Sequence, residues 1–387
     1  MKILTVLTYY RPHTSGLTIY VERLARSLVA RGHQVTVLTS RYQSDLPAQE
    51  VVDGVRIVRA PVLLRVNKGV IMPTFGWLAW KLALEYDVIH LHLPQFDAAG
   101  VALRGRLLRK PTVITYHCDL LLPRGWFNRL VNQVVHLMNN LAGMFTHRIA
   151  AYTEDFAGHS PYLRRFADKV RVILPPVSLP AVRSQQVVAF GQQHNPQGRR
   201  PVIGMATRFA SEKGVEVLLD ALPAVLARYP EAMVLYAGQY QDVMGEEAYF
   251  ARLAPRIHQY QQAGQWRFLG VLDPAEMAAY YPQLDVLVVP SLNSTETFGL
   301  VQIEAMLNGV PTVASNLPGV RQPPSMTGMG KVVPIGDAPA LAQAIIDILD
   351  HPRAYSGDPQ AISRQFSPDT NAAAYEALYR DLLEQLR

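Results

Sequence analysis

Two carboxylates, Glu296 and Glu304, sit eight residues apart in the stretch Ser294-Thr295-Glu296-Thr297-Phe298-Gly299-Leu300-Val301-Gln302-Ile303-Glu304-Ala305. A carboxylate accepts two hydrogen bonds side by side, so it suits the vicinal hydroxyls of a sugar or a ribose. The pattern predicts a helix over Phe298–Leu307, with Glu304 well inside it and Glu296 just before it. Eight residues is about two turns, which would let both carboxylates face one cavity. One would hold a ribose and the other a transferred sugar, with the helix N-terminus on phosphates. Taken alone, the spacing also fits a solvated glutamate plus one favoured by the helix dipole. A second segment, Arg208-Phe209-Ala210-Ser211-Glu212-Lys213-Gly214, places two cations on one loop. Such a pair could clamp a diphosphate, each charge-assisted bond contributing roughly 1.5–3 kcal/mol. A third, Tyr9-Tyr10-Arg11-Pro12-His13-Thr14-Ser15-Gly16, ends in small residues ahead of a helix. Small residues let the backbone approach a phosphate there, although an ordinary turn reads the same way.

These segments need strands and helices to position them. Apolar runs rich in β-branched residues predict strands at Ile3–Thr8, Val35–Thr39, Val55–Arg59, Val88–His92 and Thr112–Tyr116. Continuous apolar strands suit a parallel sheet covered on both faces. Ile19–Ala30 has helical spacing, with Gly32 as its C-terminal cap. The pattern restarts after residue 200: strand Val202–Ala206, helix Val215–Tyr229, strand Met233–Ala237. The strand-to-strand offset is 32 residues in the first unit and 31 in the second. A further strand, Val286–Val289, leads into the two-glutamate stretch. The expected fold class is therefore α/β, two Rossmann-like doubly wound domains facing a central cleft. The boundaries are 1–180, a Gln-rich linker at 181–199, 200–365, and a terminal helix at 366–387. Ligands of such sheets sit beyond the carboxyl ends of the strands, where all three segments lie.

The 387 residues suit two or three domains, and the repeated unit selects two. With 49% hydrophobic and 18% charged residues, the chain is neither disordered nor fibrous. A single cysteine, Cys118, excludes a disulfide framework and a cysteine-based zinc site, and reads as packing. No P-loop, H-E-x-x-H or G-x-G-x-x-G motif follows a strand, which argues against a P-loop kinase, a zinc protease and a typical NAD enzyme. The short apolar run after Met1 reads as a strand instead of a signal peptide, and no 18-residue apolar stretch occurs. The expected location is cytoplasmic, with peripheral contact on the inner membrane face. Net charge is +6, but residues 1–180 hold 22 Lys+Arg against 11 Asp+Glu, and the remainder 15 against 20. A basic first half suits an anionic partner: a phosphorylated acceptor, an anionic membrane surface or nucleic acid. Scattered solvated charge would look alike. No aromatic-interleaved basic stretch or RNA motif appears, so nucleic acid is not expected.

The chain resembles family 4 glycosyltransferases. Glu296 to Ala305 matches their E-x(7)-E motif, and Arg208 with Lys213-Gly214 their R-x(4)-K-G loop. Pro12…Gly16 followed by Arg31-Gly32-His33-Gln34-Val35-Thr36-Val37 matches their first unit, with Ser15-Gly16 in place of the usual Gly-Gly. The resemblance covers nearly the whole chain. It implies the GT-B fold and transfer of a hexose from a UDP- or GDP-sugar, with retained configuration and neither metal nor cofactor. By position, Arg208 and Lys213 would stabilise the diphosphate, helped by Gly16. Glu304 would bind the ribose. Glu296 and the Phe298, Gly299 and Leu300 backbone would hold the donor sugar. A covalent-nucleophile role for Glu296 is set aside in favour of binding at the reacting centre. His117, in Thr115-Tyr116-His117-Cys118-Asp119 after a strand, is the catalytic candidate beside Glu296. Asp119 would touch the sugar or the acceptor hydroxyl. His90 and His92, on or just past the preceding strand, could line the cleft.

Arg59 to Gly69, including Arg65 and Lys68, reads as a basic acceptor loop at the cleft edge. Trp126-Phe127 flanked by Arg124 and Arg129 opens a long helix that suits either a membrane surface or the core. The acceptor would then be a glycan or a lipid-linked glycan, in cell-wall, envelope or exopolysaccharide synthesis. Two rivals stand beside this reading: a GT-B epimerase that converts the donor alone, and a non-catalytic sugar-nucleotide-binding protein.

Overall fold

The structure is a computed structural model that describes residues 1–66, 69–120 and 126–386, the side chains of 66, 127 and 128 excepted. It divides into two units, Met1–Pro176 with Phe366–Arg387, and Val177–Gln365.

The first unit is built on an eight-stranded sheet. In chain order its elements are β1 (Lys2–Val6), α1 (Gly16–Ala30), β2 (Gln34–Arg41), β3 (Gln49–Val52), β4 (Val55–Pro61), β5 (Leu64–Val66), β6 (Gly69–Ile71), α2 (Phe75–Glu85), β7 (Val88–Leu93), α3 (Ala98–Leu107), β8 (Thr112–Tyr116), α4 (Trp126–Phe145), β9 (Arg148–Ala151), α5 (Glu154–His159), α6 (Pro161–Arg165) and β10 (Val170–Val172). The strand order is β10-β9-β8-β7-β1-β2-β4-β3, parallel except for β3 against β4. Strands β1, β7 and β8 are buried on both faces apart from Lys2, which is why their sequences are largely apolar, with Thr5, His90, His92, Thr112 and Thr115 the buried polar exceptions. Helix α1 starts where Ser15 accepts a hydrogen bond from Thr18 N at 3.2 Å, and Gly32 follows it with φ +85°.

The second unit contains α7 (Ser184–His194), β11 (Val202–Ala206), α8 (Val215–Arg228), β12 (Met233–Ala237), α9 (Glu247–Gln262), β13 (Trp266–Gly270), α10 (Pro274–Tyr280), β14 (Val286–Val289), α11 (Leu300–Met306), β15 (Thr312–Ser315), α12 (Gln322–Thr327), β16 (Gly330–Val333), α13 (Ala338–Asp350) and α14 (Pro359–Phe366). Its six parallel strands run β13-β12-β11-β14-β15-β16. The order reverses between β11 and β14, so the loops after these two strands are neighbours. Segment 181–199 is not a bare linker: it carries α7 and belongs to this unit. Only Phe190 of α7 is buried, so it lacks the apolar periodicity that betrays a helix.

The last helix, α15 (Pro368–Gln385), belongs to the first unit and packs on α1. Arg31 pairs with Asp369 and Glu376, each at 2.8 Å, and Asn371 Nδ2 donates to Leu174 O at 2.6 Å. Counted by unit, the first holds 24 Lys+Arg against 15 Asp+Glu, net +9, and the second 13 against 16, net −3. The charge asymmetry therefore survives the return of the acidic terminal helix.

Candidate functional site

In the second unit, the loops after β11 and β14 carry the charged groups. Thr207 N and Phe209 N bond to Ala237 O at 2.8 Å and Gln239 O at 2.7 Å, and the Phe209 ring is fully buried. Arg208, between them, keeps a side chain 40% exposed and forms an ion pair with Glu212. The loop closes in a short turn, Ser211–Lys213, and Gly214 has φ +69°. A Cβ at Gly214 would lie 2.1 Å from Pro290 O, so the contact between the two loops requires glycine. Leu292 N donates to Glu212 O at 2.9 Å, and Lys213 Nζ pairs with Glu296 Oε2 at 2.7 Å. The structure thus brings Arg208, Lys213 and Glu296 together at the mouth of the sheet.

The helix after Glu296 is shorter than expected. It begins at Leu300, because Gly299 takes φ +73° and breaks the helical path. Glu296 therefore precedes the helix by a non-helical turn, and the two-turn argument for its facing Glu304 does not apply. Gln302, fully buried, ties this turn down: its Nε2 donates to Phe298 O at 2.8 Å and Val320 O at 2.9 Å, and its Oε1 accepts from Thr312 at 3.1 Å. Glu304 is 7% exposed, and Tyr281 Oη donates to its Oε2 at 2.7 Å. Neither Gln302 nor Tyr281 was expected at the site. Gln302 lies inside the motif, and its amide was the available signal; Tyr281 has no motif to mark it.

In the first unit, His117 follows β8 and is 6% exposed. Its Nε2 lies 3.0 Å from His92 Nδ1, and its Nδ1 is bonded to the Tyr152 hydroxyl. Burial lowers its pKa to about 3, so the ring is neutral. His90 and His92 both lie within β7, neither past its end, and are buried among aromatic rings. Asp119 accepts from Tyr116 Oη at 2.9 Å and Ser160 Oγ at 2.7 Å. Gly16 opens α1, and beyond its chain neighbours and its own helix backbone no atom of the described residues lies within 4 Å of a would-be Cβ, so packing against them does not require glycine there.

The segment expected as a basic loop begins on β4 and runs into a β-ribbon, β5 paired with β6. Arg59 is buried in β4, paired with Glu50 and donating to Arg11 O at 2.9 Å, so it cannot serve an acceptor. Arg65 sits on β5 beside the loop after β1. Burial raises the phenol pKa of Tyr9, and the Arg65 charge opposes that rise. Tyr9 stacks on His13 with ring centroids 4.9 Å apart. Lys68 and Arg124 lie outside the described residues. On α4, Trp126 is 80% exposed, and Leu130, Leu137 and Met144 are also exposed. No described helix is long and apolar enough to cross a membrane, and no described cluster of three His, Cys, Asp or Glu could hold a metal.

Residues 14–180 match the family described as Glycosyltransferase Family 4, and residues 189–364 the family described as Glycosyl transferases group 1. A phosphatidyl-myo-inositol mannosyltransferase of Mycolicibacterium smegmatis is 27% identical over 370 residues, covering 92% of this chain and 87% of that protein. Among solved structures, a sucrose-phosphate synthase from Thermosynechococcus elongatus superposes with a TM-score of 0.76 at 23% identity, covering 99% of each chain. HepE from Anabaena, crystallised with UDP and glucose, gives 0.75 at 20% identity, covering 98% of this chain and 99% of that one. With both units matched in order by the two family descriptions, the chain is a glycosyltransferase of the family 4 type, with the GT-B fold.

Proposed function

We propose that the protein moves a hexose from a nucleoside diphosphate sugar to a glycan or lipid-linked acceptor, with retained configuration and without a metal, in building the cell envelope or an exopolysaccharide. The observation that carries this reading is the meeting of Arg208, Lys213 and Glu296 where β11 and β14 end, with Glu304 on the helix that follows. Two cations on one loop can neutralise a departing diphosphate, which is the work a metal would otherwise do. In this reading the diphosphate takes over both cations from Glu212 and Glu296. Glu304 takes the ribose, and Glu296 with the Phe298, Gly299 and Leu300 backbone takes the sugar. Gly16 would give backbone access to the donor. The UDP and glucose held by HepE support a UDP-sugar donor, and the name of the mannosyltransferase relative supports mannose as an alternative sugar, for which the donor proposed is a GDP-sugar.

His117, neutral, would serve by hydrogen bonding and not as a cation. Asp119, Arg65 and Lys68 would contact the sugar or the acceptor. The relative's name supports an acceptor with a phosphate-bearing lipid headgroup, and the net +9 of the first unit suits one. The exposed apolar residues of α4 would then rest on an anionic membrane as a peripheral contact. The deciding experiment incubates the protein with UDP-glucose or GDP-mannose and phosphatidylinositol vesicles, with and without EDTA. Product analysis by NMR reads the anomeric configuration. An α-linked product formed equally in EDTA is expected. Conversion of the donor to an epimer without transfer, or loss of activity on chelation, would overturn the proposal.

A further inference from the structure

Strands β7 and β8 pair in the register His90↔Val113 and His92↔Thr115. Side chains two apart share a face of a strand, so His90 and His92 lie on the face from which Thr115 and, just past the strand, His117 project. His90 is held at both ring nitrogens: Tyr379 Oη on α15 lies 2.7 Å from Nδ1, and Thr115 Oγ1 lies 2.7 Å from Nε2. His92 lies against it with ring centroids 4.3 Å apart, and Tyr20 stands edge-on at 6.1 Å. The ring of His92 thus cannot swing. Its Nδ1 meets His117 Nε2 at 3.0 Å, and its own Nε2 is buried with no hydrogen-bond partner among the described residues.

That orphan nitrogen needs a reason, because an apolar side chain would fill the position without one. Val88, Ile89, Leu91 and Leu93 show what this strand otherwise selects. The group that gains from His92 is His117. We infer that His92 is a positioning residue for His117, fixing its ring plane and its tautomer through the Nδ1–Nε2 hydrogen bond. Both rings are neutral, since burial lowers the pKa of each. One proton therefore sits between His92 Nδ1 and His117 Nε2. If His92 holds it, His117 carries its own proton on Nδ1, toward Tyr152; if His117 holds it, His117 Nδ1 is bare. With Nε2 on His92, Nδ1 is the nitrogen of His117 that a sugar hydroxyl could take over from Tyr152, and whether it then donates or accepts is set by which ring holds the shared proton. This rests on the proposed role of His117 in transfer, but the tautomer coupling stands apart from it.

The test has two arms. In the intact protein labelled with 15N-histidine, long-range 1H–15N spectra read the ring tautomers. The expected result is one fixed tautomer for His117, lost to a mixture in His92→Phe, which keeps an aromatic ring, somewhat larger, without the nitrogens, and restored in His92→Asn, whose amide reaches about the Nδ1 position. An unchanged His117 tautomer in His92→Phe overturns the inference. Should His92→Phe fail to fold, the native spectrum decides: a freely exchanging His117 ring refutes the coupling. In the kinetic arm, release of nucleoside diphosphate is followed from UDP-glucose and from GDP-mannose. His92→Phe should lower kcat at least tenfold with donor KM within twofold, His92→Asn should recover most of it, and His92→Phe in a His117→Ala background should add nothing. Full additivity of the two substitutions, or loss through KM alone, counts against His92. Normal turnover by His117→Ala would instead remove the underlying reading, while leaving the tautomer result to stand.

Discussion

Replacing Glu304 probes the donor site with the least disturbance to the fold. The residue is 7% exposed, and its carboxylate keeps one oxygen on Tyr281 Oη at 2.7 Å. If it accepts ribose hydroxyls, those bonds are charge-assisted and worth roughly 1.5–3 kcal/mol. Glu304→Gln keeps the shape and an acceptor for Tyr281 but removes the charge. Glu304→Ala removes both. The expected loss for Glu304→Ala is then about 10- to 150-fold in Kd for UDP or GDP, measured by calorimetry. Glu304→Gln should fall between it and the native protein. A 2′-deoxy nucleoside diphosphate completes a cycle. The native protein should bind it more weakly than the ribose form, and Glu304→Ala should discriminate less between the two. Unchanged affinity in Glu304→Ala, with thermal unfolding showing an intact fold, would refute the ribose role. Equal discrimination against the deoxy ligand in both proteins would refute it independently.

Three further outcomes are expected. Gly214→Ala should destabilise the protein by at least about 2 kcal/mol in urea unfolding and weaken nucleotide binding, since a left-handed φ and a 2.1 Å approach to Pro290 O both oppose a Cβ; a neutral result would show the two loops to be independent. Tyr375→Phe removes a buried hydroxyl bonded to Tyr20 at 2.8 Å and Thr115 at 2.6 Å, and should cost roughly 1–3 kcal/mol, read by urea unfolding. The third concerns acid. Burial lowers the pKa of His90 and His117 from 6.5 to about 3, and that of His92 well below 6.5, so between pH 3 and 6.5 the unfolded chain binds the extra protons and stability falls as pH falls. Asp97, raised by burial from 3.8 to about 6, works the other way between those values, because its folded form is the protonated one. Near pH 5 the four groups leave about two net protons taken up on unfolding, a slope of about 2.7 kcal/mol per pH unit. Unfolding midpoints between pH 4.5 and 6 test this, and His92→Phe should lower the uptake by about one proton.

Much of the architecture is legible in the sequence because central parallel strands are apolar on both faces. Thr112–Tyr116, Val202–Ala206, Met233–Ala237 and Val286–Val289 coincide with the observed strands. Helix α7 escaped because it buries a single side chain and so has no periodic signature. The ribose candidate Glu304 and the cations were visible as motifs, but their present partners were not. Tyr281 reaches Glu304 across 23 residues, and Tyr152 reaches His117 across 35. Such pairings are products of the tertiary fold, and no local spacing encodes them. Gly299 misled in a different way: glycine inside an apolar run is compatible with a helix, and only its positive φ shows that the helix begins after it.

The return of α15 to the first unit bears on how the chain is made. Tyr20, His90 and Thr115 emerge from the ribosome well before their hydrogen-bond partners Tyr375 and Tyr379, which lie 260 to 355 residues further along the chain. At roughly 5–20 residues per second, these groups wait many seconds for residues that close their network. The second unit, continuous in sequence from Val177 to Gln365, has all its own parts in hand before then. The first unit is therefore completed only after the second has been made, and removing residues 366–387 would unsettle the first unit, to which they belong.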